Sequence, residues 1–280
     1  MNQLPIEARA RILNCLVEGV SIRATARLCN VAINTVVKLQ IEAGRACAEF
    51  QDRAFRNLTC KRIECDEIWS FVGAKEKNAS TKKKAQGWGD VWTWTAIDAE
   101  TKLIPCWLVG NRDGEAAYEF MHDLAGRLAH RVQLTTDGHK PYLAAVENAF
   151  GGEVDYAQLV KIFGEGPIDG RYSQPQCTGT KVSVVSGKPQ SSGISTSYVE
   201  RQNLNIRMGM RRFTRLTNGF SKKVENHGHA LALYFMHYNF CRIHTTLRVT
   251  PAMQAGVADR VWEMTDVVRM MDSQTIAEAA

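Results

Sequence analysis

The sequence predicts an α/β protein in which a mixed sheet flanked by helices follows a small all-α domain. Apolar residues recur at helical spacing over residues 6–43, and from Arg62 onward they recur at every second residue. Three successive strands, then strands that alternate with helices, are typical of a mixed sheet covered by helices. A length of 280 residues fits a small domain followed by a larger one.

The composition is that of an ordinary globular protein, with 45% hydrophobic residues and a net charge of +6. A mildly basic chain is compatible with a polyanionic partner, although many proteins without one carry a similar charge. The eight cysteines lack the spacing of a zinc site, and the N-terminus lacks an export signal. We therefore expect reduced thiols and a cytoplasmic protein. The most apolar stretch, residues 91–109, has charged residues near its centre and does not fit a membrane span.

The first part of the chain predicts three short helices. An apolar stripe ends at Gly19, Ser21 can cap a second helix, and a third helix runs from Ile33 towards Gly44. Two short helices joined by a tight turn, behind a supporting helix, have the spacing of a helix-turn-helix.

Such a motif would place the third helix in the major groove of DNA. Its polar face carries Asn34, Thr35 and Lys38, which we predict to contact DNA. The alternative is a plain three-helix structural bundle. Residues 44–60 are interpreted as a linker, for which a helical conformation is also compatible.

The sheet region follows this linker. We predict strands at 63–72, 91–97, 103–109, 132–136 and 154–160, and helices at 113–130, 141–150, 198–215 and 224–240. A Gly-, Ser- and Pro-rich loop, with room for a short hairpin at 181–186, is predicted for residues 164–197. Loops of this length in compact domains are usually functional or mobile.

Three acidic residues are placed where chemistry is plausible. Asp66 lies within the first strand, Asp137 ends the fourth strand, and Glu200 opens the helix after the loop. Carboxylates that converge from separate elements form an oxygen-rich site suited to Mg²⁺. Two such ions can activate an attacking hydroxyl and stabilise the leaving oxygen of a phosphodiester. The alternative is that these acids are ordinary turn and cap residues, and Glu67 is expected on the opposite face of the strand from Asp66.

Basic residues follow Glu200 closely. A helix that carries Glu200 would place Asn203 and Arg207 on the same face, where Arg207 could pair with a DNA phosphate. Nearly all charged residues in the stretch 201–248 are basic, and the stretch predicts a surface that binds DNA phosphates. The residues predicted to bind DNA there are Arg201, Asn203, Arg207, Arg211 and Arg212. A second basic loop, residues 75–84, is compatible equally with DNA contact and with solubility alone. Trp92 and Trp94 share one face of a strand and are expected in the core.

Several segments resemble the catalytic segments of bacterial insertion-sequence transposases, above all those of the family named for the first-described insertion sequence. These segments are Cys65–Trp69, Thr136–Gly138, Tyr198–Arg215, Gly219–Lys223, Tyr238–His244 and Thr250–Met253. The resemblance covers about residues 60–255. It implies a ribonuclease-H-like core that holds a DDE triad, matched here by Asp66, Asp137 and Glu200, with Arg207 at the family's basic position.

The same resemblance implies Mg²⁺ as cofactor, with Mn²⁺ able to substitute, and DNA as partner, both element ends and target. It also implies a homodimer or higher multimer on DNA and a cytoplasmic, nucleoid-associated location. Members of the family often carry a zinc-binding N-terminus, which this chain does not match. We therefore divide the chain into a helix-turn-helix domain with its linker (1–55), a DDE catalytic domain (60–250) and a helical tail (251–280).

Other functions remain compatible with the same residues. A helix-turn-helix regulator with a ligand-sensing sheet domain would bind DNA without cutting it. A structure-selective nuclease on the same core would cut strands without joining them. A decayed transposase would keep the motifs and lack activity.

Overall fold

A six-stranded mixed sheet forms the centre of the protein in the computed structural model, which describes residues 3–164, 177–214 and 218–279. Its strands are β1 (Arg62–Val72), β2 (Gly89–Asp98), β3 (Cys106–Gly110), β4 (Val132–Thr136), β5 (Val154–Phe163) and β6 (Cys177–Ser186). The strand order is β3-β2-β1-β4-β5-β6. β4 lies parallel to β1 and β5, and the other neighbouring strands pair antiparallel. This architecture confirms the predicted α/β class and is consistent with a ribonuclease-H-like domain.

Helices cover both faces of the sheet. They are α1 (Ile6–Val17), α2 (Ile22–Leu28), α3 (Ile33–Ala54), α4 (Thr81–Lys84), α5 (Gly114–Ala125), α6 (Pro141–Phe150), α7 (Ser197–Gly209), α8 (Val224–Met236), α9 (Pro251–Gln254) and α10 (Met264–Ala279). On one face, Trp94 of β2 packs on Phe120 of α5 and Tyr142 of α6. On the other face, Ile68 of β1 belongs to a buried cluster with Val199 of α7 and Phe235 of α8. None of the helices described combines the length and apolarity that a membrane crossing requires.

The three predicted N-terminal helices are present, and the third is longer than predicted. Ser21 accepts a hydrogen bond from the backbone of Ala24 and caps α2, while Asn30 adopts a positive φ of 51° in the turn before α3. The predicted end of the third helix at Gly44 is wrong, because α3 continues to Ala54. A Cβ atom on Gly44 would lie only 2.3 Å from the carbonyl oxygen of His229. This glycine therefore permits close packing of α3 on α8 and does not end the helix.

The prediction of a loop between β5 and α7 is wrong for residues 177–186. Residues 177–186 form β6, which pairs antiparallel with β5 from Tyr156–Ser186 to Phe163–Cys177. The predicted hairpin at 181–186 is this same strand. Residues 165–176 of the predicted loop lie outside the described residues. Most of β6 is exposed, so its residues lack the alternation of buried and exposed positions that identifies a strand in a sequence.

The N-terminal helices share a hydrophobic core with the sheet region. Residues of α1 and α3 belong to the same buried cluster as Trp94 and Phe120, and α10 packs against α1. The guanidinium of Arg9 donates two hydrogen bonds to the carboxylate of Asp272, each 2.7 Å long. The two ends of the chain are thus joined by apolar packing and by a bidentate ion pair. The division into three domains stays a prediction.

A buried histidine connects β1 with α8. Nδ1 of His227 lies 2.9 Å from Oγ of Ser221, and Nε2 lies 3.3 Å from Oγ of Ser70. Burial, together with the nearby Arg212, lowers the pKa of His227 to about 3. The imidazole is therefore neutral at physiological pH, with both ring nitrogens engaged by hydroxyl groups.

We expect His227 to make the protein sensitive to mild acid. The unfolded chain takes up a proton on this side chain below pH 6.5 and the folded state does not, so stability falls as the pH drops from 6.5 towards 3. At pH 5 the loss should be roughly 2 kcal/mol. Urea unfolding of His227→Gln against the native chain should show a flatter dependence over this range. The exposed His130, replaced in the same way, is the control, and an equal pH dependence in all three proteins would contradict the assignment.

Candidate functional site

An open cleft of about 880 Å³ lies where β1 and β4 end their pairing, and three of its lining residues are Asp66, Asp137 and Glu200. β4 pairs with β1 only as far as Thr136, which lies opposite Cys65. Asp137 is the residue after Thr136, and Asp66 is the residue after Cys65 within β1. The parallel register therefore brings these two acids side by side, as expected for residues at the ends of neighbouring parallel strands.

Asp66 is held from two sides. Its Oδ1 accepts a hydrogen bond from the backbone N–H of Glu67 (2.8 Å), and its Oδ2 accepts one from Nδ2 of Asn203 (2.8 Å). Burial, together with the neighbouring carboxylates of Glu67 and Asp137, raises the pKa of Asp66 to about 7. The protein thus holds this acid in a fixed position in which its negative charge is unfavourable without a cation.

Glu67 belongs to the acidic cluster, although it is expected on the opposite face of β1 from Asp66. Oxygen atoms of Asp66, Glu67 and Asp137 all lie within 4.8 Å of one another. Although neighbouring strand residues point to opposite faces, β4 has already ended beside this part of β1. Side chains from both faces can therefore meet at the uncovered edge of the strand. A second acid next to Asp66 on a buried strand was the sequence signal for this residue.

Arg112 is a cation that the sequence interpretation missed. Its Nε donates a hydrogen bond to Oε2 of Glu67 (3.0 Å), and one of its terminal nitrogens lies 3.4 Å from Oδ2 of Asp137. The other oxygen of Asp137 accepts a hydrogen bond from the backbone N–H of His139 (2.9 Å). Arg112 follows β3 and is partly exposed at the rim of the cleft. It offsets part of the negative charge of the acidic cluster.

Glu200 lines the same cleft, but its carboxylate is not in the cluster of Asp66, Glu67 and Asp137 among the residues described. Its Oε1 accepts a hydrogen bond from the hydroxyl of Thr196 (2.7 Å), and its Oε2 forms an ion pair with Nζ of Lys161. Lys161 lies on β5, where only its charge was visible in the sequence. The structure thus places Glu200 near the other two predicted acids while a protein cation holds its side chain.

The N-terminus of α7, which carries Glu200, is anchored by a buried acid of β1. Oε2 of Glu64 accepts hydrogen bonds from the backbone N–H groups of Tyr198 (2.7 Å) and Val199 (3.1 Å). A carboxylate at this end of a helix satisfies free N–H groups and interacts favourably with the helix dipole. Burial raises the pKa of Glu64, and the two backbone hydrogen bonds oppose the rise. Glu64 therefore fixes the position of α7 relative to β1.

The predicted basic residues around α7 occupy different environments. Arg201 and Arg211 are exposed, Arg207 is half-buried, and Asn203 is buried against Asp66. Arg212 donates hydrogen bonds to Oγ of Ser221 and to Oε1 of Gln40, each 2.9 Å long, so that it connects to α3. Burial lowers the pKa of Arg212 to about 10. Arg215, the last basic residue of the matched segment, lies outside the described residues.

The predicted DNA contacts of the helix-turn-helix lie at the start of α3. Asn34 and Lys38 are exposed and Thr35 is half-buried. Lys38 is 3.8 Å from Glu42 in an exposed pair that contributes little to stability. Two apolar side chains flank the turn at the surface, Leu28 with 68% and Ile33 with 48% of its area exposed.

The acidic cluster has the chemistry of a divalent-cation site. Hard cations such as Mg²⁺ take oxygen ligands at about 2.0–2.1 Å, so opposite ligands lie roughly 4.2 Å apart. The 4.8 Å spread of the three carboxylates is close to this value. Burial and the crowding of like charges both raise the pKa of Asp66, which a bound cation would oppose. Asp66, Glu67 and Asp137 would hold such an ion, with Glu200 able to join after it leaves Lys161.

Part of the sequence matches a known protein family. Residues 86–162 match a family model described as a DDE domain, of the IS240 type of transposase. No curated protein matches the chain.

Residues 86–162 are therefore similar to the DDE domain of insertion-sequence transposases. The matched segment contains Asp137, β2–β5 and the two helices between them, and it begins after Asp66 and ends before Glu200. Membership of the narrower family named for the first-described insertion sequence stays a prediction. DDE transposases cleave nucleic acid with the help of divalent metal ions and bind DNA.

Asp66 should make the stability of the protein depend on pH, and a bound metal ion should reverse the direction of this dependence. In EDTA, the contribution of Asp66 to stability should fall as the pH rises from 3.8 to about 7, opposite in sign to that of His227, because the folded state holds the proton of Asp66 more tightly than the unfolded chain does. Mg²⁺ favours the ionised form and should raise Tm most at the upper end of this range. Thermal unfolding across the range, with and without Mg²⁺, measures both effects. If Asp66→Asn kept the same Mg²⁺ response, the cluster would not be the metal site.

Removing the anchor of α7 should weaken both stability and cleavage. We expect Glu64→Ala to cost about 1–2 kcal/mol, because two N–H groups at the start of α7, one of them buried, lose their acceptor. Glu64→Gln keeps an accepting oxygen and should recover part of this loss. Urea unfolding measures the cost, and hydrogen exchange at the amides of Tyr198 and Val199 localises it. Equal exchange in Glu64→Ala and the native protein would exclude the anchoring role.

Proposed function

We propose that this protein is a transposase that binds the ends of its insertion sequence and catalyses Mg²⁺-dependent DNA strand cleavage followed by strand transfer. The observation that supports this most strongly is the convergence of Asp66 and Asp137 in a cleft that Glu200 also lines, with Glu67 buried beside them. Asp137 is far from Asp66 and Glu67 along the chain but close to them in space. Ordinary turn or cap residues would not be expected to converge in this way. The match to a DDE domain supplies the reaction class.

In this proposal Asp66, Asp137 and Glu200 are the catalytic carboxylates, and Glu67 adds a fourth acid. Bound divalent ions would supply charge neutralisation and activation of the attacking oxygen. Asn203 keeps Asp66 in position through its hydrogen bond, and Glu64 keeps α7 against β1. Arg112 and Lys161 neutralise the acids before the substrate arrives, and each can then pair with an oxygen of the scissile phosphate.

The reaction consists of two in-line displacements at phosphorus. Water first attacks the phosphodiester at the element end, the bond to the 3′-oxygen breaks, and a free 3′-hydroxyl and a 5′-phosphate result. That hydroxyl then attacks a phosphodiester of target DNA and displaces a second 3′-oxygen. No covalent protein intermediate is needed, so the protein acts by positioning and by charge.

End recognition is assigned to the N-terminal helices. The exposed Asn34 and Lys38, with Thr35, lie at the start of α3, where a recognition helix contacts bases. Arg201 and Arg207 of α7 and Arg211 just after it are assigned to the DNA phosphates, and Arg212, which is largely buried, adds its positive charge behind them. Transposition joins two element ends, so we propose that the active form is a homodimer or a larger multimer on DNA. A protein with this substrate would act at the nucleoid in the cytoplasm.

Asp66→Asn should abolish cleavage and strand transfer while leaving DNA affinity within about twofold. The substitution keeps the shape of the side chain and removes the charge that a divalent ion needs. Labelled DNA from the flanks of the gene, incubated with and without Mg²⁺ or Mn²⁺, measures both reactions. Asp259→Asn, an exposed acid in the C-terminal region, is the matched control and should remain active.

The same assay separates the competing functions. Binding without cleavage by the native protein would indicate a regulator or an inactive transposase. Cleavage without joining would indicate a structure-selective nuclease. Undiminished cleavage by Asp66→Asn would remove this residue from the site.

A further inference from the structure

A row of aromatic side chains runs along the sheet away from the acidic cluster. Trp69 and Phe71 follow Glu67 at every second residue of β1, and Trp92 pairs with Trp69 across β1 and β2. The ring centroids of Trp69 and Phe71 are 5.8 Å apart, and those of Phe71 and Phe220 are 5.0 Å apart. We call Trp92, Trp69, Phe71 and Phe220 the aromatic row. Its members are half-buried, unlike the fully buried Trp94 two residues along β2.

Three cations lie over this row. The guanidinium carbon of Arg112 is 4.8 Å from the ring centre of Trp92, and Nζ of Lys75 is 5.5 Å from that of Trp69. Nζ of Lys222 is 3.7 Å from the ring centre of Phe220. An aromatic face attracts a cation and restricts its position. The positive groups over the row are therefore held in defined positions. Isolated lysines on a protein surface are not held in this way.

The charge around the row is one-sided. Residues 69–92 contain five lysines and two acids, Glu76 and Asp90. Glu76 forms an ion pair with Lys84, and Asp90 accepts a hydrogen bond from the backbone of Glu76. Both acids are thus engaged within the 75–90 segment, while Lys75 and Lys222 are held over rings. The surface favours a polyanion.

The row is also continuous with the candidate active site. Arg112 contacts Glu67 and Asp137 on one side and Trp92 on the other. Alternate residues of a strand are about 6.7 Å apart, roughly twice the 3.4 Å axial spacing of phosphates along one strand of DNA. Successive positions of the row can therefore follow the backbone of a single strand that enters the cleft.

We propose that the aromatic row and its three cations bind backbone phosphates of the DNA strand that enters the cleft, a role that rests on the proposed transposase function. Arg112 contacts the phosphate nearest the carboxylates, Lys75 the next along β1, and Lys222 the most distant. The aromatic rings fix the cations before DNA binds, which lowers the entropy lost on binding. The basic 75–84 loop is then part of the DNA interface.

The test measures binding of the full-length protein to a fluorescein-labelled duplex from the flank of its gene, in EDTA so that no strand is cut. Fluorescence anisotropy over a KCl series gives the slope of log affinity against log salt. Lys75→Ala and Lys222→Ala should each reduce the slope by about 0.9 and weaken binding several-fold. Lys61→Ala, an exposed lysine just before the opposite end of β1, is the matched control and should change neither quantity.

Variants of the rings test whether the aromatic groups matter. Trp69→Leu and Phe71→Leu keep every charge and should still weaken binding, because the cations lose their positions. Thermal unfolding first establishes that each variant is folded, and the two lysine variants decide the matter if a ring variant is not. Slopes equal to that of Lys61→Ala in both lysine variants would overturn the proposal.

The outcome is independent of the catalytic assignment. Asp66→Asn should bind the duplex like the native protein, so loss of binding in the lysine variants reports on the row alone. Retained binding by the lysine variants, together with loss of cleavage in Asp66→Asn, would overturn the row and leave the proposed function intact. The reverse result would overturn the catalytic assignment and leave the row intact.

Discussion

Mutual repulsion among carboxylates at one edge of β1 is the constraint on which the arrangement of this protein depends. Asp66, Glu67 and Asp137 place oxygen atoms within 4.8 Å of one another, and burial together with this crowding raises the pKa of Asp66 to about 7. Such a cluster persists only when the surrounding structure holds it. The fold holds these carboxylates close together although they repel one another. A bound cation would relieve this repulsion, so the arrangement favours cation binding.

The supporting contacts reach the cluster from four elements. Asn203 of α7 and the backbone of β1 hold Asp66, and the residue after β3 supplies Arg112. Lys161 of β5 pairs with Glu200. Each of these elements packs in the sheet or directly on it, so the positions of the charged groups follow from the hydrophobic core. Glu64 links the two systems, because it is buried in β1 and accepts hydrogen bonds from α7.

The cations of the site have two roles at different times. In the absence of DNA, Arg112 and Lys161 neutralise acids. A phosphodiester in the cleft would offer them a new partner and leave the acids to a divalent ion. Arg112 also stacks on Trp92, which gives it a fixed position between the acidic cluster and the aromatic row. The same side chain can therefore connect catalysis with the path of the DNA strand.

The sequence by itself determined the α/β class, the strand β4 and helix α6 at their observed bounds, and the proximity of Asp66 and Asp137. These features depend on local periodicity and on residues at strand ends, which are visible along the chain. It did not reveal the strand β6 or the continuation of α3 beyond Gly44. It also did not identify four residues of the site, which are Glu64, Glu67, Arg112 and Lys161. Only the tertiary structure decides these, because they depend on where β4 ends beside β1, on the pairing of an exposed edge strand, and on how closely α8 approaches α3.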